Sequence, residues 1–145
     1  MNEAFPEFQG KLACFGFDWL GRQFALDPFR GSAPDLEVLM LEPGTAEALE
    51  VPVAFSRFHD AGLEDYYDAC LAPEFFAEWM AARQEPLRFP ECAGYKVPHF
   101  LGGEDSTSNL EVSDTEVYWS LMGALRLATR NLEPGTPILG ADLSD

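Results

Sequence analysis

Apolar residues along the chain change their period near residue 55. Upstream, short runs punctuated by turn residues predict strands at Lys11 to Phe17, Arg22 to Leu26, Leu36 to Leu41 and Ala48 to Val53. Asp18-Trp19-Leu20-Gly21 separates the first two and suits a hairpin with Gly21 at positive φ. Glu42-Pro43-Gly44-Thr45 closes the third, with Pro presetting φ and Gly supplying the turn's permissive position. Runs this short, joined by connections this tight, predict neighbouring antiparallel strands.

From Ser56 onward the spacing is helical. Ser56 suits an N-cap and Pro73 the first turn of a further helix. Phe75, Phe76, Trp79 and Met80 form an apolar stripe up to Arg83, which predicts core packing. Gln84 to Gly103 is interrupted by Pro86, Pro90, Gly94, Pro98 and Gly102-Gly103, so it predicts an irregular connection with one short strand around Tyr95 to Val97. Ser113-Asp114-Thr115-Glu116 has the form of a capping box. It opens a helix to about Asn131, with Val117, Tyr118, Leu121, Met122, Leu125 and Ala128 on one face and Arg126 and Arg130 suiting its C-terminal turns. Asn109 and Asp114 are placed to satisfy backbone groups at its entry, and Thr136 to Asp145 reads as a short strand or a frayed end. With no repeat or linker, residues 1–145 read as a single α+β domain. Its mainly antiparallel sheet comes from the N-terminal half and packs against helices from the second half.

Composition agrees with one core, since 47% of the residues are hydrophobic and the length is that of an ordinary domain. Charge adds more. The 25 acids outnumber nine bases, for a net −16, and base-free stretches hold five acids between Arg30 and Arg57, six between Arg57 and Arg83 and five between Lys96 and Arg126. Such a field repels nucleic-acid phosphates and anionic lipid and accelerates encounter with a basic protein, though acidity also serves solubility alone. The first ten residues lack the basic start and apolar run of a signal peptide, and no apolar stretch approaches the length of a membrane span. Cys14, Cys70 and Cys92 are odd in number and widely spaced, as reduced thiols are. A cytoplasmic, membrane-free protein is expected.

No catalytic motif is legible. Gly102-Gly103 lacks the Lys-Ser or Lys-Thr of a nucleotide loop and is followed by Glu104 and Asp105, so it reads as a tight turn. His59, His99 and Cys92 have no metal-ligand spacing, no nucleophile elbow occurs, and so many acids read mainly as solvated surface groups. Trp19, Trp79 and Trp119 read as core before they read as a ligand pocket.

Two segments carry more than generic patterning: Phe15 to Asp27 (FGFDWLGRQFALD) and Gly94 to Trp119 (GYKVPHFLGGEDSTSNLEVSDTEVYW). With the Glu42-Pro43-Gly44-Thr45 turn and Glu91-Cys92, they resemble the C-terminal domain family of type VI secretion DNase-immunity proteins, loosely grouped with the SUKH immunity superfamily. The likeness covers most of the chain. It implies a non-catalytic protein without cofactor or metal that binds and neutralises a cognate bacterial toxin, such as a basic nuclease. Asp18, Trp19, Arg22, Asp105, Asn109 and Glu111 are the candidate partner-binding residues, as a polar cluster beside the Gly-Gly turn. The rival expectation is an enzyme or small-ligand protein using a pocket near Trp19, Asp105 and Asn109. Oligomeric state is open on the sequence.

Overall fold

Val38-Leu39-Met40-Leu41 is apolar at four consecutive positions, so a strand through it carries hydrophobic side chains on both faces and needs cover on both. The computed structural model, which describes residues 4–137, provides that cover. Strands β1 (Ala13–Phe17), β2 (Gln23–Ser32), β3 (Asp35–Glu42) and β4 (Glu47–Ala54) form an antiparallel sheet in the order β1-β2-β3-β4. One face of β3 puts Leu39 and Leu41 into a core with Phe5, Tyr118, Trp119 and Met122. The other puts Val38 and Met40 against Phe24, Val51, Phe58 and Cys70.

A helical stretch follows the sheet. It runs through α1 (Phe55–Arg57), a π turn (Phe58–Gly62), α2 (Leu63–Asp65), α3 (Tyr67–Leu71) and α4 (Pro73–Ala81), with Pro73 in the first turn of α4 as expected. Strands β5 (Glu91–Tyr95) and β6 (Leu110–Asp114) pair antiparallel as a second, two-stranded sheet, and α5 (Thr115–Thr129) closes the fold. Ala93, Tyr95 and Leu110 of the small sheet pack with Leu20 and Trp79, which ties α4 to the β1–β2 corner. The architecture is therefore the expected α+β one, a main antiparallel sheet from the N-terminal half against helices from the second.

Several local expectations are corrected. β2 does not end at Leu26 but continues through Pro28 to Ser32, because a register shift between Leu26 and Gly31 absorbs the proline. Arg30 secures that irregular stretch by donating to Asp27 (2.7 Å), Glu37 (2.6 Å) and the Val38 carbonyl (2.6 Å). Gly21 does occupy a positive φ of 74°, but Gly44 does not, and the left-handed residue of the β3–β4 connection is Ala46, just after the Glu42 to Thr45 turn. Gly44 is needed for a different reason: a Cβ there would lie 2.6 Å from the Tyr95 ring. Ser56 caps nothing and instead donates through N (2.9 Å) and Oγ (2.7 Å) to the Asp35 carboxylate of β3.

In the second half, the strand expected around Tyr95 to Val97 lies earlier, at Glu91–Tyr95, and Leu110–Asp114 is its partner. The capping box also shifts by one. Ser113 belongs to β6, and Asp114 is the N-cap, its Oδ1 accepting from the amides of Glu116 (2.9 Å) and Val117 (3.2 Å). Asp114→Ala is expected to lower stability by about 1 kcal/mol, and Ser113→Ala to leave the urea midpoint unmoved. Tyr118, Trp119 and Met122 form the buried face of α5, while Val117 and Ala128 face solvent. Arg126 reaches back to the Ala4 carbonyl and lies over the Phe5 ring at 5.1 Å, fastening the start of the described chain to the last helix. Most of the expectation for Thr136 to Asp145 falls on 138–145, outside the described residues.

Candidate functional site

The β1–β2 corner brings together three of the six expected site residues, and two of them are buried. Asp18 accepts from the amides of Leu20 (3.1 Å) and Arg22 (2.9 Å), which closes the hairpin. Its other oxygen takes the Arg22 guanidinium at 2.6 and 2.7 Å. Arg22 also donates to the carbonyls of Ala69 (3.1 Å) and Cys70 (3.0 Å), and the Trp19 indole donates to that of Leu71 (2.8 Å). These are the last carbonyls of α3, so Arg22 and Trp19 complete a helix end that would otherwise lack donors. Asp18 and Arg22 thus tie sheet to helix and offer little surface to a partner.

Asp105 and Asn109 lie in the loop between β5 and β6. The Asn109 amide donates to the carbonyls of Val97 (2.9 Å) and Glu104 (2.8 Å), and its oxygen accepts from the Val97 amide (3.1 Å). Gly103 allows this fold-back, since a Cβ there would sit 1.8 Å from the Val97 oxygen. Asp105 accepts the Tyr95 hydroxyl at 2.7 Å and has His99 Nε2 at 3.9 Å. Glu111 stands exposed on β6. The six expected residues therefore split between two places. Trp19 lines one concavity and Asn109 a different one, so the rival grouping of Trp19, Asp105 and Asn109 is not brought into a single hollow.

Glu42 links the two places and was not singled out by the sequence. It is buried, 3.8 Å from Arg22 on one side, and accepts the Gly44 amide at 3.0 Å. Burial pushes its carboxyl up to about 7, opposed by the Gly44 hydrogen bond and the Arg22 charge and helped by the nearby Asp18 and Asp105 charges. Burial likewise raises Tyr95, with Asp105 and Glu42 adding to it, and Tyr118, whose hydroxyl accepts the Tyr95 amide at 3.3 Å. The Cys92 thiol is pushed to about 11 by burial, which keeps it an unreactive thiol at neutral pH. Among the described residues, no three His, Cys, Asp or Glu side chains gather as metal ligands.

An open groove of about 840 Å³ lies beside β1. Its walls are β1, Trp19, the Phe76 and Met80 side of α4, and the segment Pro86 to Glu91. Trp19 packs on Phe75, Phe76 and Trp79 with ring centroids 5.1 to 5.7 Å apart, and Phe17 meets Phe89 at 5.6 Å. Phe89 is 87% exposed and Phe76 36%. The α4 stripe is thus only partly core: Trp79 is buried, and Phe76 opens onto the groove. A signal for the groove was present in the sequence, because Phe89 sits between Arg88 and Pro90 in a stretch with no periodic apolar face to join.

Across α4 from the groove lies a hollow of about 510 Å³ that includes the carboxylates of Asp68, Glu74 and Glu78. All six acids between Arg57 and Arg83 are exposed, as are the five between Lys96 and Arg126, so most of the negative charge is presented to solvent. Among the described residues, no helix is long and apolar enough to cross a membrane. Comparison with models of known protein families and with curated proteins finds no match to the chain.

Proposed function

We propose that the chain is a non-catalytic immunity protein, which binds a cognate bacterial toxin domain in the cytoplasm and neutralises it. The observation that carries this reading is a solvent-facing acidic surface next to an open apolar groove: charge brings a basic partner in, and exposed aromatics hold it. The two sequence segments that resemble immunity proteins of type VI secretion support it from another side. A nuclease with a basic cleft is the partner class that suits this surface, since occluding such a cleft also excludes the nucleic acid. The polar side chains fit the same reading, because buried Asp18 and Arg22 and half-buried Asn109 are spent on backbone carbonyls and amides rather than presented to a ligand. An enzymatic or small-ligand reading built on Trp19, Asp105 and Asn109 has less support, as Trp19 and Asn109 line separate hollows.

Co-expression with the toxin encoded beside this gene tests the proposal. A stable complex on pull-down and restored growth are expected. Absence of both rejects the reading.

A further inference from the structure

In the small sheet, the phase of the hydrogen bonds separates an answered edge from an unanswered one. Antiparallel pairs alternate between those that exchange backbone bonds and those that do not. Lys96 donates to the Asn109 carbonyl (2.8 Å) and Thr115 to the Pro90 carbonyl (3.1 Å), just beyond the two ends of the register, so within it Cys92–Ser113 and Gly94–Glu111 are the bonded pairs. Glu91, Ala93 and Tyr95 therefore turn their amides away from β6. Each is answered, by the carbonyls of Arg88 (2.5 Å) and Trp19 (2.7 Å) and by the Tyr118 hydroxyl (3.3 Å) respectively. On β6, Leu110, Val112 and Asp114 turn away from β5 in the same way. The Leu110 amide reaches the Thr107 carbonyl. Among the described residues, the Val112 amide and carbonyl, the Leu110 carbonyl and the Asp114 amide have no partner, and no strand lies beyond β6. Val112 is 36% exposed, and Glu111 and Asp114 stand exposed on either side of it.

We propose that β6 takes an extended, basic segment of a partner protein as a third strand of this sheet, laid antiparallel along Leu110 to Asp114. Val112 would exchange two backbone hydrogen bonds with the segment, and the Leu110 carbonyl and Asp114 amide would add one each, which supplies affinity. The acids that select the occupant lie in the edge itself. Glu111, which the sequence marked as a candidate contact, makes no ion pair among the described residues. A Lys or Arg beside it and another beside Asp114 would gain opposite-charge cross-strand contacts, with an apolar residue between them against Val112. Lys96 does not cancel these acids, since its ammonium donates to the Ser108 carbonyl (2.8 Å). A second copy of this chain is disfavoured, because it would bring the same carboxylates and a net −16 to the same short edge. No residue of β6 lines the apolar groove beside β1, so this contact is separate from it. The proposal extends the immunity reading and rests on it only for the partner being a toxin.

The test titrates the whole protein with synthetic peptides of about eight residues, carrying Lys at the positions that face Glu111 and Asp114 and Val at the position that faces Val112. Amide exchange is followed residue by residue. Saturable binding that slows exchange at Val112 and Asp114 is expected, with the Glu111 and Ser113 amides, already bonded to β5, as internal references. Val112→Pro removes the outward donor while the ladder to β5 keeps its bonds, and Glu111→Lys reverses an exposed charge. Each should weaken binding at least roughly tenfold, as should N-methylation of the peptide amide that meets the Val112 carbonyl. A peptide with Glu in place of the Lys that faces Glu111 should recover binding to the Glu111→Lys protein, which separates a loss of charge pairing from a loss of folding. No saturable binding, unchanged exchange at Val112 and Asp114, or undiminished binding to either variant would overturn the proposal. The toxin co-expression separates the two ideas: docking of peptides without protection removes the immunity reading and leaves the edge, and protection without docking does the reverse.

Discussion

Arg22→Met is expected to lower the free energy of unfolding by about 3–5 kcal/mol, the largest effect of any single side chain outside the apolar core. The side chain is almost fully buried and serves two elements at once. Removing it strands the Asp18 carboxylate, which is equally buried, without its counter-charge, and leaves the carbonyls of Ala69 and Cys70 without donors. The pair by itself is not a large source of stability, because desolvating both ions costs nearly as much as their attraction returns; the penalty arises from breaking it. Asp18→Asn with Arg22→Met should therefore recover part of the loss. An Asn oxygen can still accept the Leu20 and Arg22 amides, whereas the α3 carbonyls stay unsatisfied. Urea unfolding of the two single variants and the double variant gives the coupling directly. A loss below about 1 kcal/mol for Arg22→Met would show that water reaches this corner and that it does not anchor α3.

Glu42 makes stability depend on pH in the opposite sense from an ordinary paired carboxylate. Its carboxyl is raised from 4.5 to about 7 in the folded protein, so between these values the folded state holds a proton that the unfolded state has lost. Stability from this group is fully present below about pH 4.5, declines as pH rises and is gone above about pH 7, a change of up to about 3 kcal/mol. Glu42→Gln keeps an acceptor for the Gly44 amide and removes the ionisation. The variant should be more stable than the parent at pH 8, close to it at pH 4.5, and should have a flatter stability profile between. Thermal unfolding across that range measures the difference. A variant profile parallel to the parent's would mean that Glu42 remains ionised against Arg22 throughout. Asp18 does not obscure the comparison, since it is present in both proteins.

Much of the fold was legible because local pattern and final environment agree. The runs at residues 36–41 and 48–53 became β3 and β4, Pro73 opened α4, and Gly21 took the positive φ its turn requires. Where reading by pattern failed, a group distant in sequence had intervened. The run from Arg22 was expected to stop at Leu26, but Arg30 bridges to Glu37 and Val38 and carries β2 on to Ser32. Ser56 looked like a cap, but Asp35 across the sheet holds it in another role. Glu91–Tyr95 and Leu110–Asp114 are too short and too interrupted to announce themselves, and they form a sheet only by pairing with each other.

The candidate site shows the same division. Sequence by itself determined the amounts: enough apolar residues for one core, a net charge of −16, the helix and strand periods, and the turns that need glycine. It also marked Asp18, Trp19, Arg22, Asp105, Asn109 and Glu111 as candidate partner-binding residues. Only the tertiary structure decided what these side chains touch, turning Asp18, Trp19 and Arg22 toward the α3 carbonyls and the hairpin, Asn109 toward its own loop and Asp105 toward the Tyr95 hydroxyl. It likewise buried Glu42, which by type belongs at the surface, and exposed Phe89, which by type belongs inside. The physical reason is that burial, ionisation and edge pairing depend on which groups lie within a few ångströms, and those neighbours are supplied by segments tens of residues away.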